Sequence, residues 1–111
     1  MVIQVRQVKG VTVLTLSGSI NTSSAPKVNQ FIHAEIARGN VHLVADCKSL
    51  DYTDSTGLRV LLAAIKATRS RSGDLRLVAV QPDVLRVLEL SGFISLLKLF
   101  DDLDSALASY S

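Results

Sequence analysis

The sequence predicts an α/β domain: a mostly parallel central sheet of about five strands, opened by an N-terminal antiparallel hairpin and flanked by about four helices. Three observations lead there. Short β-rich runs alternate with helical segments in the order β-β-α-β-α-β-α-β-α. Only the dipeptide "KG" separates the first two runs. The inner runs "VHLVAD" and "LRLVAV" are largely apolar, as strands covered on both faces are.

The first run, Val2 to Val8, alternates as an edge or half-exposed strand does, with Val2, Gln4, Arg6 and Val8 on one side and Ile3, Val5 and Gln7 on the other. The "KG" turn and the β-rich "VTVLTL" complete a hairpin. "SGSINTSSAPKVNQFIHAEIARGN" reads as a loop, a helix and a stop. Thr22 or Ser23 supplies the cap, Pro26 suits the first turn, and Gly39-Asn40 follow the last apolar position. Ala25, Val28, Ile32 and Ile36 form the buried stripe of this helix, with His33 beside it.

Val41 to Asp46 forms the next strand, and a helix follows from Thr56 to about Ser72. Leu75 to Val80 repeats the strand pattern. "QPD" starts a helix with Asp83 in its first turn, carried by Val84, Leu85, Leu88 and Leu90 and ended by Ser91-Gly92. "SLLKLF" reads as a fifth short strand. Asp101 and Asp102 can cap a last helix in which Leu103, Ala106, Leu107 and Tyr110 fall at helical spacing. Parallel strands joined through helices imply right-handed crossovers.

A chain of 111 residues suits one domain, residues 1–111, and 48% hydrophobic with 20% charged residues is a globular balance. The net charge of +2 comes from scattered basic residues, which excludes a nucleic-acid surface from the expected partners. A single cysteine, Cys47, permits no internal disulfide and no multi-cysteine zinc site; it reads as a small buried hydrophobe in a reducing compartment. No metal or cofactor is expected. The N-terminus lacks a secretory signal and no stretch approaches the ~20 apolar residues of a membrane span, so a cytoplasmic protein is expected.

The chemistry gathers in "LDYTDSTGLRVLLAAIKA", Leu50 to Ala67, beyond the carboxyl end of a strand and at the start of a helix, the edge where open α/β sheets meet ligands and partners. The first amides of a helix lack acceptors and carry roughly half a positive charge, so Ser55 or Asp54 can act as an ordinary N-cap. Alternatively Ser55 is a phosphorylation site, where a phosphate meets those amides and adds roughly −2 beside Asp51 and Asp54. Gly57 either leaves room for a partner to approach Ser55 or is merely tolerated in a first turn. Leu58, Leu61 and Ile65 face the core, while Arg59 and Lys66 lie on the side of Ser55. Val60, Ala64 and Ala67 form a strip of small apolar residues that suits either a docking face or cover by a second layer of protein.

These residues resemble the bacterial anti-sigma-factor antagonists of the STAS domain family. The likeness covers nearly the whole chain and includes "LSGSINTSSAPKV", Asp46, "DSTG" at Asp54 to Gly57, "LRLVAV" and "LELSGF". It implies a single STAS-like domain acting as a partner switch. The unmodified protein binds an anti-sigma factor that is also a serine kinase with a histidine-kinase-like ATPase fold. Phosphorylation of Ser55 ends that binding, and a serine phosphatase restores it. Two positions depart from the family pattern: Thr56 offers a second acceptor where the family often has serine, and Asn21 stands where it commonly has an acidic residue, keeping hydrogen bonding without charge.

Catalysis is not expected. A serine hydrolase needs a base beside Ser55, yet His33 and His42 fall on a helix face and at a strand start, and no "GxSxG" elbow occurs. The rival reading is a constitutive STAS interaction or scaffold module, which shares the fold and lacks the switch.

Overall fold

The computed structural model describes all residues, Met1–Ser111. Lys9 and Gly10 both hold positive φ, 52° and 79°, the backbone of a two-residue primed turn whose twist matches its flanking strands. It folds Val2–Val8 (β1) antiparallel onto Val11–Ile20 (β2), with Val8 opposite Val11. The remaining strands, His42–Thr53 (β3), Asp74–Val78 (β4) and Leu99–Phe100 (β5), join in parallel, and the sheet runs β1-β2-β3-β4-β5. Between them lie Ala25–Ala37 (α1), Ser55–Arg69 (α2), Pro82–Leu90 (α3), a 3-10 turn at Ile94–Leu96, and finally Leu103–Ala108 (α4).

Strand alternation sorts the core into two sides. Leu43, Ala45 and Cys47 of β3 and Leu75 and Leu77 of β4 face a main core closed by α1, α2 and α3. Val44 and Val78 face the other way, where α4 covers them with Ala106 and Leu107. Each large aliphatic side chain buried here contributes roughly 1.5–3 kcal/mol of transfer free energy.

Asp74, buried at the start of β4, gathers three cations: Arg69 Nε at 2.9 Å, Arg76 Nε at 3.1 Å and Lys98 Nζ at 3.8 Å. Arg76 stacks on the Tyr110 ring, 3.9 Å from its centre, and the Tyr110 hydroxyl lies 2.7 Å from the Leu43 carbonyl oxygen and 2.8 Å from that of Asp74. α4 and the residues after it are thereby fixed to the amino ends of β3 and β4. The expected cap of α4 is present in Asp102, whose carboxylate accepts from the Ser105 amide at 2.7 Å.

Several boundaries differ from the sequence reading. β2 continues through "SGSI", expected as loop, and β3 continues to Thr53, seven residues past Asp46. The two polar extensions satisfy each other's backbone groups, Ser17 facing Ser49 and Ile20 facing Thr53 across two register shifts, and no apolar alternation advertises them. "SLLKLF" is a strand only at Leu99–Phe100, because Ile94–Leu96 winds into the 3-10 turn. Neither Thr22 nor Ser23 caps α1. Ser24 occupies the N-cap without a side-chain cap bond, and the Asn21 carboxamide oxygen instead accepts from the Ser23 and Ser24 amides at 2.9 and 3.1 Å. α2 starts one residue earlier than expected and ends at Arg69, followed by a turn in which Ser72 takes positive φ.

Candidate functional site

β2 and β3 end side by side, and the Asp54 amide donates to the Ile20 carbonyl at 3.3 Å, tying the β3–α2 junction to the end of β2. Asp54, in extended backbone, is the N-cap of α2: one carboxylate oxygen accepts from the Thr56 amide at 2.9 Å and the Gly57 amide at 3.2 Å. This settles which residue caps and leaves Ser55 as the first residue of the helix, with its side chain exposed. Two of the amides an anion at Ser55 would seek are therefore already engaged by the neighbouring carboxylate.

Gly57 is buried, and its lack of a side chain answers a demand from within the chain. A Cβ there would stand 2.0 Å from Thr53 Oγ1 and 2.9 Å from Ile20 Cγ2. The expectation that Gly57 opens access for a partner is corrected accordingly: it lets the first turn of α2 lie on Thr53 and Ile20, both fully buried. The Thr53 hydroxyl donates to the Asp54 carbonyl at 3.3 Å, so the floor of the site also holds the capping residue.

Asn21 sits at the neighbouring corner. Besides its two accepted bonds, its amide donates to Ser24 Oγ at 3.0 Å, and Ser24 Oγ donates to the Ser19 carbonyl at 2.6 Å, a network that shapes the entry to α1. Thr22, Pro26 and Asn29 on the α1 side and Thr56, Arg59 and Val60 on α2 line an open groove of about 570 Å³ between the two helices. Thr56 is half-buried there whereas Ser55 is exposed.

The small-residue strip is covered in part, only Val60 reaching the open groove. Ala64 is fully buried in the main core, and Val60 and Ala67 are half-buried against it. α1 packs beside α2, so the second layer of protein that covers this flank is the chain's own helix. Arg59 and Lys66 are exposed. Arg59 lies one turn beyond Ser55, while Lys66 lies three turns along, ~16 Å at 1.5 Å per residue.

Asp51 is exposed near the end of β3, and next to it Tyr52, a residue the sequence reading passed over, is 50% exposed. An aromatic ring left in water at a rim of aspartates is the kind of anchor protein interfaces favour, and its position in a polar stretch just before a helix was the available signal. No base stands by Ser55. His42 packs edge-on against Tyr110 with ring centres 5.2 Å apart, at the amino end of β3, and His33 lies on α1. The Cys47 thiol, buried in the main core, is pushed up to about 12 by burial and then by the Asp46 charge, and it takes no part in the site.

Comparison with known proteins agrees with this architecture. The STAS domain model matches residues 2–106. BtrV from Bordetella bronchiseptica is 32% identical over 104 residues, spanning 94% of this chain and 90% of BtrV. The crystal structure of an anti-sigma factor antagonist from Mycobacterium paratuberculosis superposes with a TM-score of 0.88 at 30% identity, covering 97% of this chain and 92% of that one. The Bacillus cell fate determinant SpoIIAA in its phosphorylated form superposes with a TM-score of 0.77 over 99% of this chain and 100% of its own, at 17% identity a likeness of fold alone. Relatives of this kind carry names of regulators, not of enzymes. By the family model, by sequence identity and by topology, this chain belongs to the STAS domain family.

Proposed function

We propose that the protein is an anti-sigma factor antagonist that works by partner switching in the cytoplasm: it binds an anti-sigma factor that is also a serine kinase, and phosphorylation of Ser55 ends that binding. The observation that carries this reading is the exposed Ser55 hydroxyl at the first position of α2, directly after its capping aspartate, on the rim that also displays Asp51 and Tyr52. The 30% identical antagonist from Mycobacterium paratuberculosis supports the class of partner, and the phosphorylated SpoIIAA of the same fold supports the modification.

In the forward step Ser55 Oγ attacks the γ-phosphorus of ATP on the kinase. The new O–P bond forms as the bond to ADP breaks, and the hydroxyl proton passes to a base of the kinase, whose ATPase domain is of the histidine-kinase-like fold. In the reverse step a serine phosphatase directs water to the same phosphorus, releasing inorganic phosphate and restoring the hydroxyl. This chain is substrate and ligand throughout.

The consequence is electrostatic. A phosphate adds roughly −2, which brings the chain from +2 to about zero and gathers the new charge beside Asp51 and Asp54. Because the Asp54 carboxylate already holds the Thr56 and Gly57 amides, the phosphate is left to compete for that cap or to stand out toward solvent and Arg59. Either outcome alters the surface the partner reads while the core under Gly57 stays in place. Thr56, half-buried in the groove, is the second acceptor.

The test is to incubate the purified protein with the histidine-kinase-like ATPases of its genome and ATP, and to locate phosphate by mass spectrometry. Phosphate on Ser55 is expected. Ser55→Ala should bind the kinase and resist inactivation, and Ser55→Asp should bind weakly. Absence of phosphate with every kinase would leave the constitutive scaffold, and equal affinity of the two variants would remove the electrostatic mechanism.

A further inference from the structure

We propose that the free edge of β1 is a self-pairing surface through which two copies of this chain join antiparallel into one continuous sheet. β1 is an outer strand of seven residues with no proline and no bulge, and Arg6 is its only charged side chain. Natural sheets usually blunt such an edge with several charges, a bulge or a proline. Here Val2 is 58% and Val5 38% exposed instead.

The hairpin decides which backbone groups are free. The two-residue turn makes Val8 and Val11 a hydrogen-bonded pair, and in an antiparallel ladder such pairs alternate. Val2, Gln4, Arg6 and Val8 therefore direct their N–H and C=O groups into β2. Ile3, Val5 and Gln7 direct theirs outward.

A twofold pairing that uses the whole strand must be centred on the middle outward residue, Val5. Centring on Ile3 or Gln7 would match only three residues of each strand. About Val5 the sequence "VIQVRQV" is nearly symmetric: Val5 meets Val5, Ile3 meets Gln7, Gln4 meets Arg6, and Val2 meets Val8. Ile3, Val5 and Gln7 each donate one hydrogen bond and accept one across the axis. Arg6 faces an uncharged Gln4 and meets its own copy only as a diagonal neighbour, so the only charge on the strand opposes the pairing weakly and not head-on.

The same axis brings together the helix-side flank of the edge. Val5 shares a groove with Phe31 and Ala34 of α1, and the Phe31 ring is 38% exposed. A strand pair ~24 Å long at 3.4 Å per residue buries less than a standard interface on its own, so this flank, whose polar wall is Gln30 and the Glu35–Arg38 ion pair, must contribute and the association is concentration-dependent. The surface lies on the opposite side of the sheet order from β5 and uses none of the residues around Ser55.

Sedimentation velocity on the intact protein from ~10 μM to ~1 mM should show a reversible monomer–dimer equilibrium, weakened about tenfold or more by Val5→Lys, which sets like charges directly opposite. Circular dichroism and thermal melts establish that the variant folds. Independently, Val5→Cys should form an intermolecular disulfide with oxidised glutathione, because paired Cα atoms ~5.5 Å apart are within disulfide reach, whereas Gln4→Cys should not. Cys47 is buried and does not compete. A monomer across the whole range overturns the proposal. So does a dimer that Val5→Lys leaves intact, which would point to the exposed Leu90, Phe93 and Leu96 instead, and so does equal cross-linking of the two cysteine variants.

Discussion

Gly57 rests on Thr53: the last residue of β3 lies directly beneath the first turn of α2, so close that a methyl group on the glycine would stand 2.0 Å from the threonine hydroxyl oxygen. Gly57→Ala should therefore cost about 1–3 kcal/mol through overpacking, although alanine is the better helix former. Thr53→Ala in the same chain should recover part of the loss, the remainder being the contact with Ile20. A double-mutant cycle by urea denaturation measures the coupling.

Asp54 links stability to the proposed switch. Asp54→Ala should cost about 1 kcal/mol by freeing the Thr56 and Gly57 amides, and Asp54→Asn, which keeps an acceptor oxygen, should cost only a few tenths. Thermal melts rank the two. If Asp54→Asn melts like the parent yet is a poorer kinase substrate, the carboxylate charge serves recognition as well as capping.

Asp74 is the anchor at the far end of the sheet. Asp74→Ala should destabilise by about 3 kcal/mol, because it strands Arg76, whose side chain is only 12% exposed, without its carboxylate. Arg69→Ala and Lys98→Ala should each cost much less, since their side chains are 39% and 56% exposed. Chemical denaturation of the three variants provides the comparison.

Cys47 sets an alkaline limit. Its folded-state thiol is pushed from an ordinary 9.0 up to about 12, chiefly by burial, so above pH 9 the unfolded chain gives up its proton while the folded chain retains it. The stability this provides is complete below the ordinary value and declines as pH rises toward about 12. Tyr110, also raised by burial, adds to the decline from its own ordinary value of 10.0 upward. Urea midpoints should thus be flat across neutral pH and fall beyond pH 9, with a shallower fall in Cys47→Ala. Alkylation of Cys47 at pH 8 should proceed no faster than opening of the core.

Where residues announce their own backbone needs, the sequence was enough. Lys9-Gly10 between two alternating runs specified the hairpin, Pro82 and Asp83 the start of α3, and the pair Asp101-Asp102 the capped start of α4. What stayed hidden depended on partners distant in sequence. Ser49 to Thr53 is extended because Ser17 to Ile20 lies alongside it, and neither polar segment reads as strand alone. Ala64 is buried because α1 occupies the flank that its own helical spacing would leave open. At the candidate site, the sequence located Ser55 at a helix start. Two things needed coordinates: that the Asp54 carboxylate takes the amides, and that Gly57 answers to Thr53.

The two rims of the sheet are unequal: β5 contributes only Leu99 and Phe100 before the chain turns away, whereas β1 runs straight for seven residues. A stub that short offers no template for further chains. Growth by strand addition thus has a single sticky end per molecule, and once two such ends have met nothing remains to extend, so even crowded solutions of the folded protein should stop at pairs and not run on into fibres.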